Sequence, residues 1–382
     1  MILATFASST LWSTVTLGYA ALTLCLILLV KTLVKPYMSG NIPPFPARPY
    51  PILGHLPYFA NGQRQKLLEF RKTTGDIFSM FFGSQLFVVV NGPRLVKEVL
   101  VKHPDTMNSR PPQPFVDQGD YGVVFSNGAM WKEQRSVSQA ILRSFGMGKS
   151  SLSHKISEEI GIYLDTLAAL DGKPKDVRTL TAASISNVIC SIMVGKRFDY
   201  DDPLFKSFVE NFTRQIAAFD NMSVVAIWPW LRYIPGNFLG AKTVNMCAQI
   251  IRQEFGDKFI ELALKEDGED AAPTFITSYI KEMKKAQKQG NDTTLSMEQL
   301  RINLQQLFIA GTDTTATTLT WFLVYMLNYP KIQSKMYEEI CSVMGPERAP
   351  DMQDKVKLPY TNAVIMETQR LASIAPQRYA KH

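Results

Sequence analysis

The side chains with the clearest chemical potential are an acid and a row of threonines that interrupt an apolar helical pattern at residues 307–315. Threonine competes for backbone carbonyls, and a glycine inside a helix costs about 1 kcal/mol relative to alanine. The side chains three and four positions from Asp313 are small and mostly apolar. Its carboxylate is therefore expected inside the protein, where it is costly unless hydrogen-bonded or used. These breaches of local preference indicate a functional site, with a solvated acid at a helix kink as the alternative.

The helix that carries these residues can be delimited from the sequence. Ser296 and Gln299 have the spacing of a capping box, with Ser296 as the N-cap. Apolar residues recur at a helical period from Leu300, and nothing interrupts the pattern before Pro330. Some thirty residues at 1.5 Å each predict a rod of roughly 50 Å, long enough to cross a domain.

Two further pairs of side chains share a helix face. Trp131 and Arg135, at i and i+4, offer an indole N–H and a guanidinium side by side, a combination that binds carboxylates. Stacking of these two residues in a corner of the core is the alternative interpretation. Glu367 and Arg370, at i and i+3, are expected to form a buried structural pair because residues 363–366 before them are apolar.

Composition narrows the class of protein. The chain has 382 residues, 46% of them hydrophobic, and a formal net charge of +7 that is spread along the sequence. This charge suits an acidic partner or an anionic membrane surface, and no nucleic-acid motif is present. The cysteines Cys25, Cys190, Cys247 and Cys341 are far apart and lack zinc-site spacing, so neither a zinc site nor a disulfide framework is predicted.

The N-terminus predicts a membrane anchor. Residues 11–30 carry no charge and match one bilayer crossing, while Lys31 and Lys35 follow at once. By the positive-inside rule the body of the protein is then cytoplasmic, with a cleaved signal peptide as the alternative. We therefore expect a signal anchor over residues 1–35 and a proline-rich hinge over residues 36–60.

The remaining residues, 61–382, are expected to form one mainly α-helical body with a small β-sheet. Residues 77–82 and 86–90 are rich in strand formers and are separated by Gly-Ser-Gln, which predicts a hairpin. From residue 130 to 345 the signals are almost all helical. The aromatic run Trp228–Tyr233 is compatible either with core packing or with a membrane-interface patch.

Taken in order, these features resemble the cytochrome P450 haem-thiolate monooxygenases of the membrane-anchored, microsomal type. The motifs that carry the resemblance are the proline hinge followed by Ile52-Leu53-Gly54-His55-Leu56, the helix from Phe125 through Trp131 and Arg135 to Phe145–Lys149, the segment Ala310–Thr315, and the ExxR pair Glu367 and Arg370.

The resemblance implies a P450-like helical fold and a site at a haem. Asp313 and Thr314 would be catalytic, because the hydroxyl would hydrogen-bond the bound dioxygen and the acid would relay protons to it. Ala310, Gly311 and Thr314 would bind the cofactor, and Gly311 would let the helix bulge to make room for dioxygen. The other implied site residues are Trp131 and Arg135, for the haem propionates, and Glu367 and Arg370, for a structural network under the haem.

The resemblance also implies an activity and a location. The enzyme would insert one atom of O2 into a lipophilic substrate at the endoplasmic reticulum membrane, as a single-pass protein with a cytoplasmic catalytic body. Electrons would come from NADPH through cytochrome P450 reductase docked on a basic face, and the net charge of +7 agrees with that. No nucleic-acid partner is expected.

The sequence departs from the family pattern at the iron ligand. The family's cysteine lies in a Phe-Gly-Arg-Cys-Gly-type loop well beyond the ExxR helix, and none of the four cysteines has that context. The chain is therefore expected to be incomplete at the C-terminus and to lack the thiolate that favours O–O cleavage. It would be either a fragment of an active monooxygenase or a catalytically inactive, membrane-anchored isoform or interaction protein.

Overall fold

The computed structural model describes residue 16 and residues 18–28, 41–60, 62–107, 109–110, 121–145, 153–219, 223–237, 239–265, 272–345 and 348–375. Within them the fold is mainly α-helical with a small two-stranded sheet, which confirms the predicted class. The elements are α1 (Gln63–Thr74), β1 (Ile77–Phe82), β2 (Gln85–Val90), α2 (Pro93–Lys97), α3 (Pro104–Met107), α4 (Gly122–Phe125), α5 (Gly128–Ser144), α6 (Ser153–Ala168), α7 (Val177–Met193), α8 (Pro203–Phe219), α9 (Ser223–Ile227), α10 (Ala241–Gln249), α11 (Gly256–Lys265), α12 (Phe275–Lys288), α13 (Met297–Asn328), α14 (Pro330–Met344) and α15 (Pro359–Ala372).

The predicted membrane span lies only partly within the described residues. Of residues 11–30, the structure describes residue 16 and residues 18–28, which are helical and exposed. In the part of the chain that the structure describes, no helix combines the length and the apolar character that a bilayer crossing needs. The anchor over residues 1–35 therefore stays a prediction.

The chain divides into two compact units, and each is described by itself. The first comprises residues 1–107 and 224–231. Its hairpin is antiparallel, with Ile77 opposite Val90 and Phe82 opposite Gln85, so the predicted hairpin is confirmed and β2 begins one residue earlier than expected. Its core contains the buried side chains Phe70, Phe78, Met80 and Phe82.

The proline-rich segment of the first unit packs against β1. The Ser79 amide donates to the Pro44 carbonyl at 2.9 Å. The buried imidazole of His55 accepts from the Phe81 amide at 2.9 Å, and its other nitrogen lies 3.0 Å from the Ala47 carbonyl oxygen.

In the aromatic run Trp228–Tyr233, the side chain of Trp230 is 60% exposed, which excludes the core interpretation for this residue.

The second unit comprises residues 108–223 and 232–382 and is organised around the long helix α13. This helix has 32 residues and ends just before Pro330, as predicted. The Ser296 hydroxyl accepts from the Gln299 amide at 3.1 Å, so Ser296 is the N-cap. The side chain of Gln299 makes a different contact from the one a capping box requires, as described below.

Helix α13 packs closely against α7, and Gly311 allows the approach. A Cβ at position 311 would lie 2.8 Å from Cδ1 of Ile189, closer than carbon atoms pack. The α-helix is uninterrupted from Met297 to Asn328. The expected bulge at Gly311 stays a prediction, and the glycine also allows close contact between the two helices. The core around this contact is rich in aromatic residues, of which Phe205, Phe208, Phe259, Phe275, Tyr279 and Phe308 are fully buried.

Candidate functional site

One face of α13 carries Gln299, Asn303, Gln306, Ala310 and Thr314. Intervals of four, three, four and four residues keep these positions in a single stripe along a helix. The three amides are buried, whereas the alanine and the threonine are exposed. The stripe therefore changes along its length from a closed polar half to an open half of small side chains.

The closed half of the stripe holds the short helix α4. The first N–H groups of a helix have no acceptor within it. Those of residues 122–124 donate to side-chain oxygens of Gln299, Asn303 and Gln306 at 2.9, 2.8 and 2.9 Å. The Gln306 amide also donates to the Tyr121 carbonyl at 3.1 Å. Three side chains of one helix thus cap the N-terminus of another.

This capping depends on a glycine at the start of α4. Gly122 has φ +73°, a conformation that favours glycine. A Cβ there would lie 2.7 Å from Cδ of Gln306. Position 122 can therefore bring its backbone against the amide of Gln306 only because it lacks a side chain.

A second joint connects α13 to α5 through the fully buried amide of Gln134. Its Oε1 accepts from Nδ2 of Asn303 at 2.7 Å and from the hydroxyl of Tyr279 at 2.9 Å. Its Nε2 lies 3.2 Å from the carbonyl oxygen of Thr294, to which it donates. Burial raises the pKa of Tyr279 to about 12, so the phenol stays protonated and donates at neutral pH.

The neighbouring carboxylate of Glu133 fixes α5 to the segment that precedes α13. It accepts from the hydroxyl of Thr293 at 2.7 Å, and from the amide and hydroxyl of Thr294 at 2.7 and 2.6 Å. Burial raises the pKa of Glu133, but the hydrogen bonds from Thr294 and Thr293 outweigh it and leave that pKa below its usual value.

Replacing Glu133 with glutamine is expected to lower the free energy of unfolding at pH 7 by about 1–2 kcal/mol, since an amide has one acceptor oxygen where the carboxylate accepts three bonds. Because the pKa is lower in the folded state, the carboxylate stabilises the fold above its unfolded pKa of 4.5. This contribution is lost as the pH falls through the folded pKa. Urea unfolding at a series of pH values measures the difference between wild type and variant.

The matched control is Glu338→Gln, which replaces an exposed carboxylate on α14. Its free energy of unfolding should follow that of the wild type at every pH. A deficit of Glu133→Gln that stays constant from pH 7 to below 4.5 would contradict the assigned role of the charge.

Trp131 and Arg135, the predicted anion-binding pair, stack on each other on α5. The Arg135 guanidinium carbon lies 5.4 Å from the ring centroid of Trp131. Trp131 is half-buried and Arg135 is exposed. Within the described part of the chain, the indole N–H and the guanidinium donate to no protein acceptor. The two residues therefore stack, with the guanidinium exposed and not in a corner of the core, and anion binding by the pair stays a prediction.

The predicted catalytic pair lies where the stripe is open. Thr314 is exposed, and its hydroxyl donates to the Ala310 carbonyl at 2.7 Å. Asp313 is half-buried rather than enclosed as expected. Thr312, which is buried, accepts a weak 3.4 Å hydrogen bond from the hydroxyl of Ser186 on α7. The helix thus presents Thr314 outward while Thr312 faces α7.

The Glu367–Arg370 pair forms, but its predicted burial is wrong. The guanidinium donates to both carboxylate oxygens at 2.7 and 2.6 Å, and the two side chains are 54% and 67% exposed. Hydrogen bonds from Arg370 hold the pKa of Glu367 below its usual value. The expectation rested on the apolar residues before the pair, yet Met366 is itself 68% exposed. On α15, Thr368 is the buried residue.

The residue types at these positions fit the haem that the resemblance implies. Ala310 and Thr314 are exposed neighbours on one helix face, and they present no bulky side chain to a flat ring system. Trp131 and Arg135 supply donors of the kind that bind carboxylates, as the propionates require.

The resemblance also implies a cysteine thiolate as the iron ligand. Cys190 and Cys247 are fully buried, and burial raises the pKa of both thiols. A buried, protonated thiol in a core is inert, so neither is suited to ligate iron.

The amide residues of the site were not predicted from the sequence. Gln299, Asn303 and Gln306 do carry a signal, because amides at i, i+4 and i+7 in an apolar helix share one face. Glu133 and Gln134 carry none, since their partners lie about 160 residues away in the chain.

Residues 43–382 match the family model described as Cytochrome P450. The chain is similar to "Cytochrome P450 2B2" of Rattus norvegicus, at 35% identity over 357 residues, which cover 92% of this chain and 71% of the relative. It is similar to "Cytochrome P450 2G1" of Rattus norvegicus, at 34% over 370 residues, which cover 93% and 72%. It is also similar to "Cytochrome P450 2E1" of Mesocricetus auratus, at 34% over 360 residues, with coverage of 92% and 71%. With the open stripe of α13 and the donor pair of α5, these matches lead to one conclusion: the chain belongs to the cytochrome P450 family.

Proposed function

We propose that this chain carries the dioxygen-facing and propionate-binding sides of a haem monooxygenase site, which inserts one atom of O2 into a lipophilic organic substrate. Family membership supports a haem-dependent oxidoreductase in general. The observation that carries the finer proposal is the open half of the α13 stripe. There, small exposed residues adjoin an acid and a hydroxyl on one helix.

In this proposal the chain's own residues bind the cofactor and handle protons. Trp131 and Arg135 hold the two propionates through charge-assisted hydrogen bonds. Ala310 leaves room for a flat ring at the open half. The Thr314 hydroxyl, freed from the Ala310 carbonyl by a rotation about χ1, holds a proton that the Asp313 carboxyl replaces from solvent. When bound, haem supplies the iron centre at which dioxygen is activated.

The proposal includes a membrane location and a redox partner. A single-pass anchor in the endoplasmic reticulum membrane, with the body in the cytoplasm, is supported by the exposed leucines Leu22, Leu24 and Leu26 and by the lysines after residue 30. Electrons come from NADPH through cytochrome P450 reductase docked on a basic face. The formal charge of +7 supports attraction to an acidic partner surface.

We also propose that none of the four cysteines ligates iron. The burial of Cys190 and Cys247 supports this, as does the distance of Cys25 from the haem motifs in the sequence. Without a thiolate the 382-residue chain would not cleave dioxygen. The proposal therefore keeps two candidate functions, a fragment of an active monooxygenase and, as the alternative, a membrane-anchored protein without catalysis.

The carbon monoxide difference spectrum tests the ligand proposal. The chain, loaded with haemin and reduced under carbon monoxide, is expected to give no thiolate-type Soret band, because no cysteine reaches the iron. A thiolate-type band that disappears on Cys341→Ser would identify a ligand within the chain and refute the proposal. Sequencing the transcript beyond the His382 codon separates the two candidate functions, since a continuing frame with a Cys loop supports catalysis and a stop codon supports the alternative.

A further inference from the structure

We propose that Gln134 and Asn303 are positioning residues, which set the register of the donor pair Trp131 and Arg135 relative to the open half of the α13 stripe. This inference rests on the proposed haem site. Gln134 lies within the α5 motif, between Trp131 and Arg135, and Asn303 lies outside the motifs named above, but neither residue is assigned to contact the haem.

The first step is the location of Gln134. It lies one residue from Arg135 and three from Trp131 on α5, but it is fully buried while Arg135 is exposed. Its oxygen accepts from Asn303 and Tyr279, and its nitrogen donates to Thr294. Bonds to two helices, α12 and α13, and to the loop at Thr294 fix the rotation of α5 about its axis. The direction in which the donor pair points is fixed with it.

The second step is the double use of Asn303. Its oxygen accepts from the Val123 amide at 2.8 Å, and its nitrogen donates to Gln134 at 2.7 Å. One fully buried side chain therefore connects α4, α5 and α13. Its amide has little freedom to adjust, because rotating it by 180° would break both bonds at once.

The third step is the spacing along α13. Ala310 lies seven residues beyond Asn303 and Thr314 eleven, which is about 10 and 16 Å along the axis on the same face. Because a helix is stiff over three turns, a bond at Asn303 fixes the direction in which Ala310 and Thr314 point. A rigid ligand that contacts both the donor pair of α5 and the open half of α13 requires the two helices to keep a fixed relative position. Bidentate Arg–carboxylate geometry tolerates little displacement.

The test compares the binding of haemin with that of its dimethyl ester, which lacks the carboxylates. The wild-type chain is expected to bind haemin about tenfold more tightly than the ester, as one charge-assisted contact supplies. Gln134→Met removes the joint and should reduce this ratio to about one or two. Tyr279→Phe, which deletes one hydroxyl from a packed core, should reduce it about threefold. Thermal melts establish that each variant is folded.

The matched control is Gln299→Met, the same substitution in the same network. It removes the acceptor for the Gly122 amide and leaves the joint between Gln134 and Asn303 intact. Its ratio should stay about tenfold. A general loosening of the network would lower the ratio in all variants, and a merely structural role would lower stability and leave every ratio unchanged.

Each outcome decides the inference. Loss of the ratio in Gln134→Met and Tyr279→Phe, with retention in Gln299→Met, supports it. An unchanged ratio in Gln134→Met and Tyr279→Phe overturns it and leaves the proposed haem site standing, and so does an equal loss in all three. A wild-type ratio near one refutes the propionate contact itself, and the inference falls with the proposed function.

Discussion

Replacing Asn303 with leucine is expected to lower the free energy of unfolding by about 3 kcal/mol. The substitution keeps the shape of the side chain and removes both of its polar atoms. The Val123 amide loses its acceptor, and the oxygen of Gln134 loses one of its two donors. Leaving the Val123 amide without a partner costs about 1–3 kcal/mol, and the bond lost at Gln134, whose oxygen keeps Tyr279 as a donor, costs about 1 kcal/mol more.

The helix provides its own control for this change. Asn328, at the exposed C-terminal end of α13, makes one side-chain bond, to the Val324 carbonyl. Asn328→Leu should therefore change the free energy of unfolding by less than about 1 kcal/mol. Urea unfolding followed by circular dichroism measures both variants. Equal losses at the two ends would mean that the buried joint contributes nothing beyond helix propensity.

Replacing Glu159 with leucine is expected to cost about 3 kcal/mol. This carboxylate on α6 is only 3% exposed and accepts from Nε of Arg197 at 2.8 Å and from the hydroxyl of Tyr200 at 2.5 Å. Burial and the bond to Glu159 raise the pKa of Tyr200 to about 12. Leucine would leave the guanidinium without its buried partner, which is strongly destabilising. The loss is moderated because Arg197 also pairs with Asp199 at 3.0 Å.

Two further variants test the cause of this loss. Glu158→Leu changes the adjacent, exposed residue and should leave stability within about 0.5 kcal/mol of the wild type. The double variant Glu159→Leu with Arg197→Met removes both charges. It should recover much of the loss, because replacing a whole buried pair is far milder than breaking it. If the double variant were less stable than Glu159→Leu alone, the penalty would not come from the orphaned guanidinium.

Local signals in the sequence predicted the elements well. The cap at Ser296, the end of α13 before Pro330 and the hairpin around Gly83 each depend on residues a few positions apart. Such features follow from backbone conformation and short-range hydrogen bonds, which a sequence displays directly. The identity of the family followed from the order of several such local motifs.

Features that depend on distant partners could not be predicted in this way. The contact of Gly311 with Ile189 on α7 was not predicted, because Ile189 lies more than a hundred residues earlier in the chain. Gln134 and Asn303 are hydrogen-bonded although they are 169 residues apart in the chain, and the sequence around neither residue indicates the other. Glu367 and Arg370 were expected to be buried because local apolarity was taken for burial, which only the packing of the whole helix decides.

Because the residues of the stripe share one face of α13, the site depends on the number of residues between Asn303 and Ala310 more than on their types. One residue inserted there would turn everything downstream by about 100° and advance it by 1.5 Å, while every amide upstream kept its partner. The helix would still form, and after an insertion beyond Gln306 the side chains of Gln299, Asn303 and Gln306 would still cap the N-terminus of α4. Ala310 and Thr314 would then point about 100° away from their present direction.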